Sequence, residues 1–229
     1  MSQSSQSQQS QQVRAPAVAG LFYPAEPARL RADVEAMLEA ARSATGDGTP
    51  APAALIVPHA GYVYSGPTAA LAWARAGALR GRVRRVVMLG PTHRVGVRAL
   101  ALPGCRAMDT PLGPVTVEVP PQIEELAATG LVVTRPDVHA AEHSLEVQLP
   151  FLATVLPGAD VVPLAVGWVA PDRAAEAILP FLGSPDTLVV VSSDLSHYLP
   201  QTEARRVDDA TIERILALRA DIEIGRAHV

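Results

Sequence analysis

The segment RRVVMLGPTHR, residues 84–94, joins a short apolar run to a Gly-Pro turn and a histidine. The apolar run, Val86 to Leu89, is typical of a strand that is buried on both faces of a sheet. An earlier segment, AALIVPHAGYVYSG, repeats this design with an apolar run at Ala54 to Val57. Each predicted strand therefore brings a histidine, His59 or His93, to the point where the chain leaves the sheet.

Further apolar runs alternate with amphipathic stretches along the chain. Strands are predicted at Leu131 to Thr134, Val161 to Val166 and Leu188 to Val191, and helices at Ala25 to Ser43, Pro67 to Ala78, Pro121 to Ala128, Ser144 to Leu156, Pro171 to Phe181 and Glu203 to Ala220. This alternation indicates an α/β fold with a largely parallel central sheet flanked by helices. Because no linker divides the chain midway, we predict a single domain over residues 13–223.

The composition limits the classes of function. Of the 229 residues, 48% are hydrophobic and 18% are charged, which allows a sizeable core. A net charge of -4 offers no basic surface for nucleic acid or an anionic membrane. No apolar run approaches the roughly 20 residues that span a bilayer. A single cysteine, Cys105, excludes an internal disulfide and favours a reducing compartment, so we expect a cytoplasmic protein.

Both terminal segments are expected to lie outside the folded domain. Residues 1–12, MSQSSQSQQSQQ, form a Ser/Gln-rich stretch of low complexity that is predicted to be disordered. Residues 224–229, IGRAHV, match the translation of a common sequencing-adapter sequence in one reading frame. We interpret these six residues as an artefact and expect the native C-terminal part of the fold to be missing.

Four segments at strand ends or in loops hold the candidate functional side chains. These side chains are His59, His93, His143 with Glu146, and Asp194 with His197. Three of the segments follow predicted buried strands, so they can direct imidazoles into one crevice. Neutral imidazole is the commonest metal ligand, and with a carboxylate and an open position it suits Fe(II), with Zn(II) or copper as competitors. The alternative for each histidine is a structural role in which the ring is hydrogen-bonded.

The segment around His143 allows two interpretations. His143 and Glu146 are three residues apart at the start of a predicted helix, so both could face the same pocket. Alternatively, Glu142 and Glu146 could simply favour the positive N-terminus of that helix. We interpret His139, one turn earlier, as a structural or solvent-exposed residue.

Nucleophilic catalysis is not favoured by any motif. Ser65 and Ser192 both lie outside the GxSxG pattern of serine hydrolases. Cys105 lies away from the histidine-bearing strand ends, and we interpret it as incidental, although the neighbouring Arg106 could lower its pKa.

These segments together resemble the Memo family, protein B of the AmmeMemoRadiSam set. The matching motifs are, in order, VRAPAVAGLFYP, VPHAGYVYSG, LGPTHR, DTPLG, EHSLEVQLPF and SSDLSHY. With the helix that follows, the resemblance covers the chain from about Val13 to Leu218. It implies a fold similar to that of the class III extradiol dioxygenases, whose sites hold non-haem Fe(II).

The resemblance also implies a ligand set of three histidines and one cysteine around iron or copper. By motif, the histidine roles fall on His59, His93 and His197. Asp194 matches an acidic residue that accompanies the last of them, and His143 matches a further pocket histidine. The ligand cysteine of the family lies downstream of SSDLSHY, whereas no cysteine follows Cys105 here, so we expect a C-terminally truncated chain that lacks this ligand.

The leading hypothesis is a metal-dependent oxidoreductase or oxygen-handling protein. Fe(II) or copper would be held by the three motif histidines, with Asp194 beside them and His143 as an acid or base. Hydrolysis assisted by Zn(II) fits the same ligands, but no motif prefers it.

The alternative is a non-catalytic adaptor that uses the dioxygenase-like cleft to bind a peptide or a small molecule. Tyr62, Tyr64 and Tyr198 lie near the histidines in sequence and could line such a cleft. The resemblance implies partners from the radical-SAM and other proteins of the AmmeMemoRadiSam pathway, and we expect neither nucleic acid nor a membrane as a partner.

Overall fold

The computed structural model describes residues 13–45 and 50–219. The predicted disordered tail at residues 1–12 and the proposed artefact at residues 224–229 lie outside the described residues. The described residues form two compact units, one that ends at Ser193 and one that begins at Asp194, and each is described by itself. No helix in the described part of the chain is both long and apolar enough to cross a membrane.

The first unit contains a six-stranded sheet and a small three-stranded sheet. The strands in the described residues are β1 (Val13–Arg14), β2 (Ala54–Val57), β3 (Arg85–Pro91), β4 (Leu100–Leu102), β5 (Ala107–Met108), β6 (Val115–Thr116), β7 (Val132–Thr134), β8 (Asp160–Val166) and β9 (Thr187–Ser192). The order in the large sheet is β2-β9-β3-β8-β4-β7, and in the small sheet β1-β5-β6.

The large sheet confirms the predicted α/β architecture with one addition. Strands β2, β9, β3 and β8 run parallel to one another. Strand β4 pairs antiparallel to β8 and parallel to β7, so the last two strands of the sheet run in the opposite direction. The sequence analysis missed β4, a strand of three residues.

The helices in the described residues include the predicted ones in order, with one short unpredicted helix at Pro136–Ala140. They are α1 (Pro27–Thr45), α2 (Tyr62–Ala76), α3 (Pro121–Ala128), α4 (Pro136–Ala140), α5 (Leu149–Val155), α6 (Pro171–Glu176) and, in the second unit, α7 (Gln201–Leu216). The region predicted as one helix from Ser144 to Leu156 is a 3-10 turn at Glu146–Gln148 followed by α5. The region predicted as one helix from Pro171 to Phe181 is α6 followed by a 3-10 turn at Leu179–Phe181.

Alternation along the central strands explains why both faces are covered. In β3, Val86 and Met88 belong to the core beneath α1, α2 and α5, whereas Val87 and Leu89 belong to the core beneath α3. Successive side chains of a strand point to opposite faces, so an unbroken apolar run supplies both cores at once. Because β2, β9 and β3 run parallel, their carboxyl ends lie at one edge of the sheet.

Helix α2 begins five residues earlier than predicted, at Tyr62 instead of Pro67. Proline is favoured in the first turn of a helix, but Pro67 lies inside α2. Tyr62 is buried, and its hydroxyl donates to the carbonyl oxygen of Val147 at 2.7 Å. The suggestion that Tyr62 lines an open cleft is therefore wrong, because its ring packs in the core.

A buried carboxylate fastens the N-terminal segment to the 3-10 turn at Glu146–Gln148. Glu146 forms an ion pair with Arg14 at 2.5 Å and accepts hydrogen bonds from the backbone N–H groups of Ala17 and Val18 and from the hydroxyl of Tyr23. Arg14 also donates to the carbonyl oxygens of His139 and Glu142. Glu146 therefore faces the N-terminal segment, and the expectation that it shares a pocket with His143 is wrong.

Replacement of Glu146 by alanine is expected to destabilise the fold strongly. The Arg14 side chain, which is 8% exposed, would then be buried without its counter-charge. Loss of one partner of a buried ion pair costs about 3–5 kcal/mol. Urea unfolding of wild type and Glu146→Ala measures this change, with Glu35→Ala on the exposed face of α1 as the control. A loss below about 1 kcal/mol would contradict the assigned role, since that is the scale of an exposed pair.

Candidate metal centre

Two histidines reach the same edge of the sheet because they follow parallel strands. His59 comes two residues after β2, and His93 comes two residues after β3. Both strands run parallel to β9, which lies between them. The repeated strand-then-histidine pattern in the sequence thus becomes a pair of imidazoles at the ends of the two strands that flank β9.

A third histidine, His143, completes a cluster with these two. The ring centroids of His59 and His93 are 5.3 Å apart, and the ring of His143 lies 5.6 Å from the first and 4.5 Å from the second. One nitrogen from each ring can be chosen so that all three lie within 4.8 Å of one another. His59 is only 2% exposed, so the cluster reaches into the interior of the protein.

The loop that carries His143 can approach β3 because residue 90 is glycine. A Cβ atom at Gly90 would lie 2.8 Å from Leu145 Cδ2 and 2.9 Å from Ser144 Oγ, closer than real contacts of this kind. The Ser144 hydroxyl donates to the carbonyl oxygen of Pro91 at 2.8 Å and fixes the loop to the strand end. Gly90 is therefore required by close packing of loop on strand.

The carboxylate of Glu142 holds two of the three imidazoles. It accepts hydrogen bonds from the backbone N–H and from Nδ1 of His93, at 2.5 and 2.8 Å. It also accepts from the backbone N–H groups of His143 and Ser144, at 2.8 and 2.9 Å. Nδ1 of His143 lies 3.3 Å from the same carboxylate oxygen.

These contacts keep Glu142 ionised. Burial acts to raise the pKa of this carboxyl, but the hydrogen bonds from His93 and the backbone outweigh it and lower the pKa to about 2. An ionised carboxylate is only an acceptor, so Nδ1 of His93 must carry the hydrogen between them. The neutral ring then has its lone pair on Nε2, the form in which a histidine binds a metal ion through that atom.

A family model described as Memo-like protein matches residues 14–223. The chain belongs to the Memo family. A relative named as a MEMO1 family protein from Methanopyrus kandleri is 37% identical over 216 residues, which is 90% of this chain and 76% of the relative. Another from Sulfolobus acidocaldarius is 34% identical over 220 residues, 90% of this chain and 77% of the relative. A bacterial relative from Aquifex aeolicus is 34% identical over 216 residues, 91% and 76% of the two chains.

The remaining motif residues of this Memo protein lie in the second unit. There Nε2 of His197 is 3.5 Å from Oδ2 of Asp194, and its Nδ1 lies 2.9 Å from the carbonyl oxygen of Leu195. The carboxylate and the imidazole of SSDLSHY therefore lie close together within this unit. The metal role of His197 and the catalytic roles of Asp194 and His143 stay predictions.

Cys105 shows no sign of an activated thiol. Its side chain is half-buried, and burial raises the pKa of the thiol above its ordinary value. The suggestion that the neighbouring Arg106 lowers this pKa is wrong, because desolvation dominates. The interpretation of Cys105 as incidental agrees with this environment.

His139 has a structural role. It is buried, and its Nε2–H donates to the carbonyl oxygen of Ala101 at 2.7 Å. Desolvation by burial lowers the pKa of this imidazole from 6.5 to about 4. The structural interpretation is thus confirmed, and the solvent-exposed alternative is wrong.

Sequence reasoning missed three residues that surround the cluster, namely Glu142, Gln148 and Ser192. Glu142 was considered only as an acid near a helix N-terminus, although it directly precedes His143. Ser192 was considered only as a nucleophile, yet its Oγ lies 3.1 Å from Nδ1 of His59. A carboxylate next to a pocket histidine is a signal that could have been used, because ligating imidazoles need partners for their second nitrogen.

The low pKa of His139 predicts a specific dependence of stability on pH. The imidazole is neutral in the folded state down to pH about 4, whereas the unfolded chain binds a proton below about 6.5. The stability that the neutral imidazole contributes is therefore fully present above the unfolded pKa. The free energy of unfolding decreases by about 3 kcal/mol in total as the pH falls towards 4.

Comparison of wild type with His139→Gln isolates this contribution, since glutamine keeps a side-chain N–H donor and does not titrate. We expect the difference in unfolding free energy between the two proteins to shift by about 3 kcal/mol between pH 7 and pH 4. Urea unfolding at a series of pH values measures it. A difference that is independent of pH over this range would refute the assignment.

Proposed function

We propose that this Memo protein binds Fe(II) or copper at its histidine cluster and acts as a redox protein there. The observation that carries the proposal is the convergence of His59, His93 and His143 with a buried, ionised Glu142 beside two of the rings. Structural histidines are usually satisfied one at a time by backbone partners, as His139 is. Three imidazoles with mutually close nitrogens are better explained by a shared ligand.

The donor set fits a transition-metal ion. A metal–imidazole bond is about 2.0–2.1 Å long, so two nitrogens on one ion lie at most about 4 Å apart. Nitrogens within 4.8 Å of one another reach that spacing through small rotations of the rings. Imidazole suits iron, copper and zinc alike, and the iron or copper site implied by the motif resemblance favours the two redox metals over Zn(II).

Each residue has a distinct part in this proposal. His59 and His93 hold the ion, and Glu142 orients His93 and compensates the added positive charge. His143 serves either as the third ligand or as the acid or base beside the ion. His197 and Asp194 are the further ligand and carboxylate that the motif assigns. When bound, the ion would supply Lewis acidity and electron transfer to a substrate oxygen or to dioxygen.

A second function is favoured by exposed apolar side chains in two segments that meet near His143. Phe22 packs on His143 with ring centroids 4.6 Å apart, and its carbonyl oxygen accepts from the N–H of Tyr62 at 2.7 Å. The neighbouring side chains of Leu21 and Tyr64 are 81% and 83% exposed. Exposed apolar side chains of this kind suit contact with a peptide, a small molecule or a pathway partner such as a radical-SAM protein.

Metal content and affinity test the proposed function first. The full chain, loaded anaerobically with Fe(II), copper or Zn(II) and analysed for metal, is expected to hold one equivalent of a redox metal. His59→Ala and His93→Ala are each expected to abolish stoichiometric binding, because each removes a ligand from a small set. His139→Gln is the matched control for loss of a buried histidine outside the cluster, with folding checked by circular dichroism.

His143→Ala and His197→Ala separate the ligand and acid–base roles. Loss of metal identifies a ligand, whereas retained metal with lost turnover identifies an acid or base. Stoichiometric metal in a His59→Ala/His93→Ala double variant would contradict the proposed site. Tight binding of a partner by the metal-free protein would support the adaptor function instead.

A further inference from the structure

The hydroxyl of Ser192 has three polar neighbours in the interior of the first unit. Its Oγ lies 3.1 Å from Nδ1 of His59, 3.0 Å from Nε2 of Gln148 and 2.6 Å from the carbonyl oxygen of Ser144. All four residues are buried. A hydroxyl has one hydrogen to donate and two lone pairs to accept with, so the three contacts must be divided among these positions.

The contact with Gln148 must use a lone pair of Ser192, because the orientation of the amide is fixed. Its Oε1 faces Nε1 of Trp73 at 3.0 Å, and its Nε2 faces the carbonyl oxygen of Pro58 at 2.8 Å. The indole can only donate and the carbonyl can only accept. A reversed amide would set two donors against each other at one contact and two acceptors at the other. The Nε2–H group therefore points at Ser192 and donates to it.

The single hydrogen of Ser192 must point at Ser144. A carbonyl oxygen only accepts, and two oxygens 2.6 Å apart without a hydrogen between them would repel each other. One lone pair of the hydroxyl is already occupied by Gln148, so the remaining lone pair faces His59. Nδ1 of His59 must supply a hydrogen to that lone pair.

We propose that Ser192, held by Gln148 and the Ser144 carbonyl, is a positioning residue that fixes His59 as its Nδ1–H tautomer. In the neutral ring this places the lone pair on Nε2. His93 has the same tautomer through a different device, the Glu142 carboxylate. The consequence for metal binding rests on the proposed function, since it makes Nε2 the ligating atom of both rings.

The tautomer of His59 can be read directly in the metal-free protein. The full chain labelled with ¹⁵N at histidine is examined by long-range ¹H–¹⁵N correlation at about pH 8, where an ordinary imidazole is neutral. Wild type is expected to show protonated Nδ1 and unprotonated Nε2 for His59, and the same pattern for His93. Observation of the Nε2–H tautomer for wild-type His59 would overturn the proposal without any variant.

Substitution of Ser192 tests whether this residue causes the preference. Ser192→Ala removes the acceptor, so His59 is expected to lose the pure Nδ1–H signature while His93 keeps it as an internal reference. Ser192→Thr retains the hydroxyl and is expected to restore the wild-type pattern. Ser65→Ala is the matched control, because it removes a hydroxyl that donates to the carbonyl oxygen of Ala60. An unchanged His59 signature in folded Ser192→Ala would overturn the proposal.

Metal affinity separates this inference from the proposed function. Removal of such an outer partner of a ligating histidine typically lowers metal affinity about 10–100-fold. We expect Ser192→Ala to show a loss of this size and Ser65→Ala to show none. If wild type has the expected tautomer yet binds no metal, the proposed function fails while the positioning role of Ser192 stands.

Discussion

Burial of one carboxylate, Glu146, is the constraint on which the candidate centre depends. A buried charge is tolerated only when it is paired and hydrogen-bonded, and Glu146 meets this need with four donors from the segment between Arg14 and Tyr23. Arg14 in turn binds the carbonyl oxygens of His139 and Glu142, which lie in the chain just before His143. The N-terminal segment therefore holds the loop that delivers the third imidazole, although it contributes no member of the cluster.

The parts of this arrangement that are local in sequence could be predicted, and the parts that depend on long-range contacts could not. Strand β2 has the predicted bounds, and β3 extends the predicted run by one residue before it and two after it. An unbroken apolar run of this length clearly indicates a strand that is buried on both faces. The small sheet of β1, β5 and β6 was missed because two-residue strands carry no period. The close packing of α2 on α1 was also missed, because it depends on Gly66, where a Cβ atom would lie 2.6 Å from Sδ of Met37.

Glu142 and Glu146 show most clearly that sequence spacing alone does not identify the partners of a side chain. Spacing along a helix joined His143 to Glu146, but the residues form a loop and a 3-10 turn there, and so the helical period does not apply. Glu142 faces the rings, and Glu146 faces Arg14. Two acids four residues apart thus have separate tasks, one orienting imidazoles and one fastening the loop. Only the partners distinguish them, and those partners, His93 and Arg14, lie about 50 and 130 residues away in sequence.

Buried imidazoles also need a defined hydrogen on one nitrogen, and the fold supplies it by two routes. For His93 the acceptor is the buried carboxylate of Glu142, whose charge is stabilised by four N–H donors. For His59 the acceptor is a neutral hydroxyl, whose direction follows from the chain Trp73, Gln148 and Ser192. A second carboxylate at this place would add a like charge near Glu142, and its repulsion would raise the free energy of both ionised forms. A neutral relay avoids this repulsion, so one carboxylate and one hydroxyl orient two rings at a lower electrostatic cost than two carboxylates would.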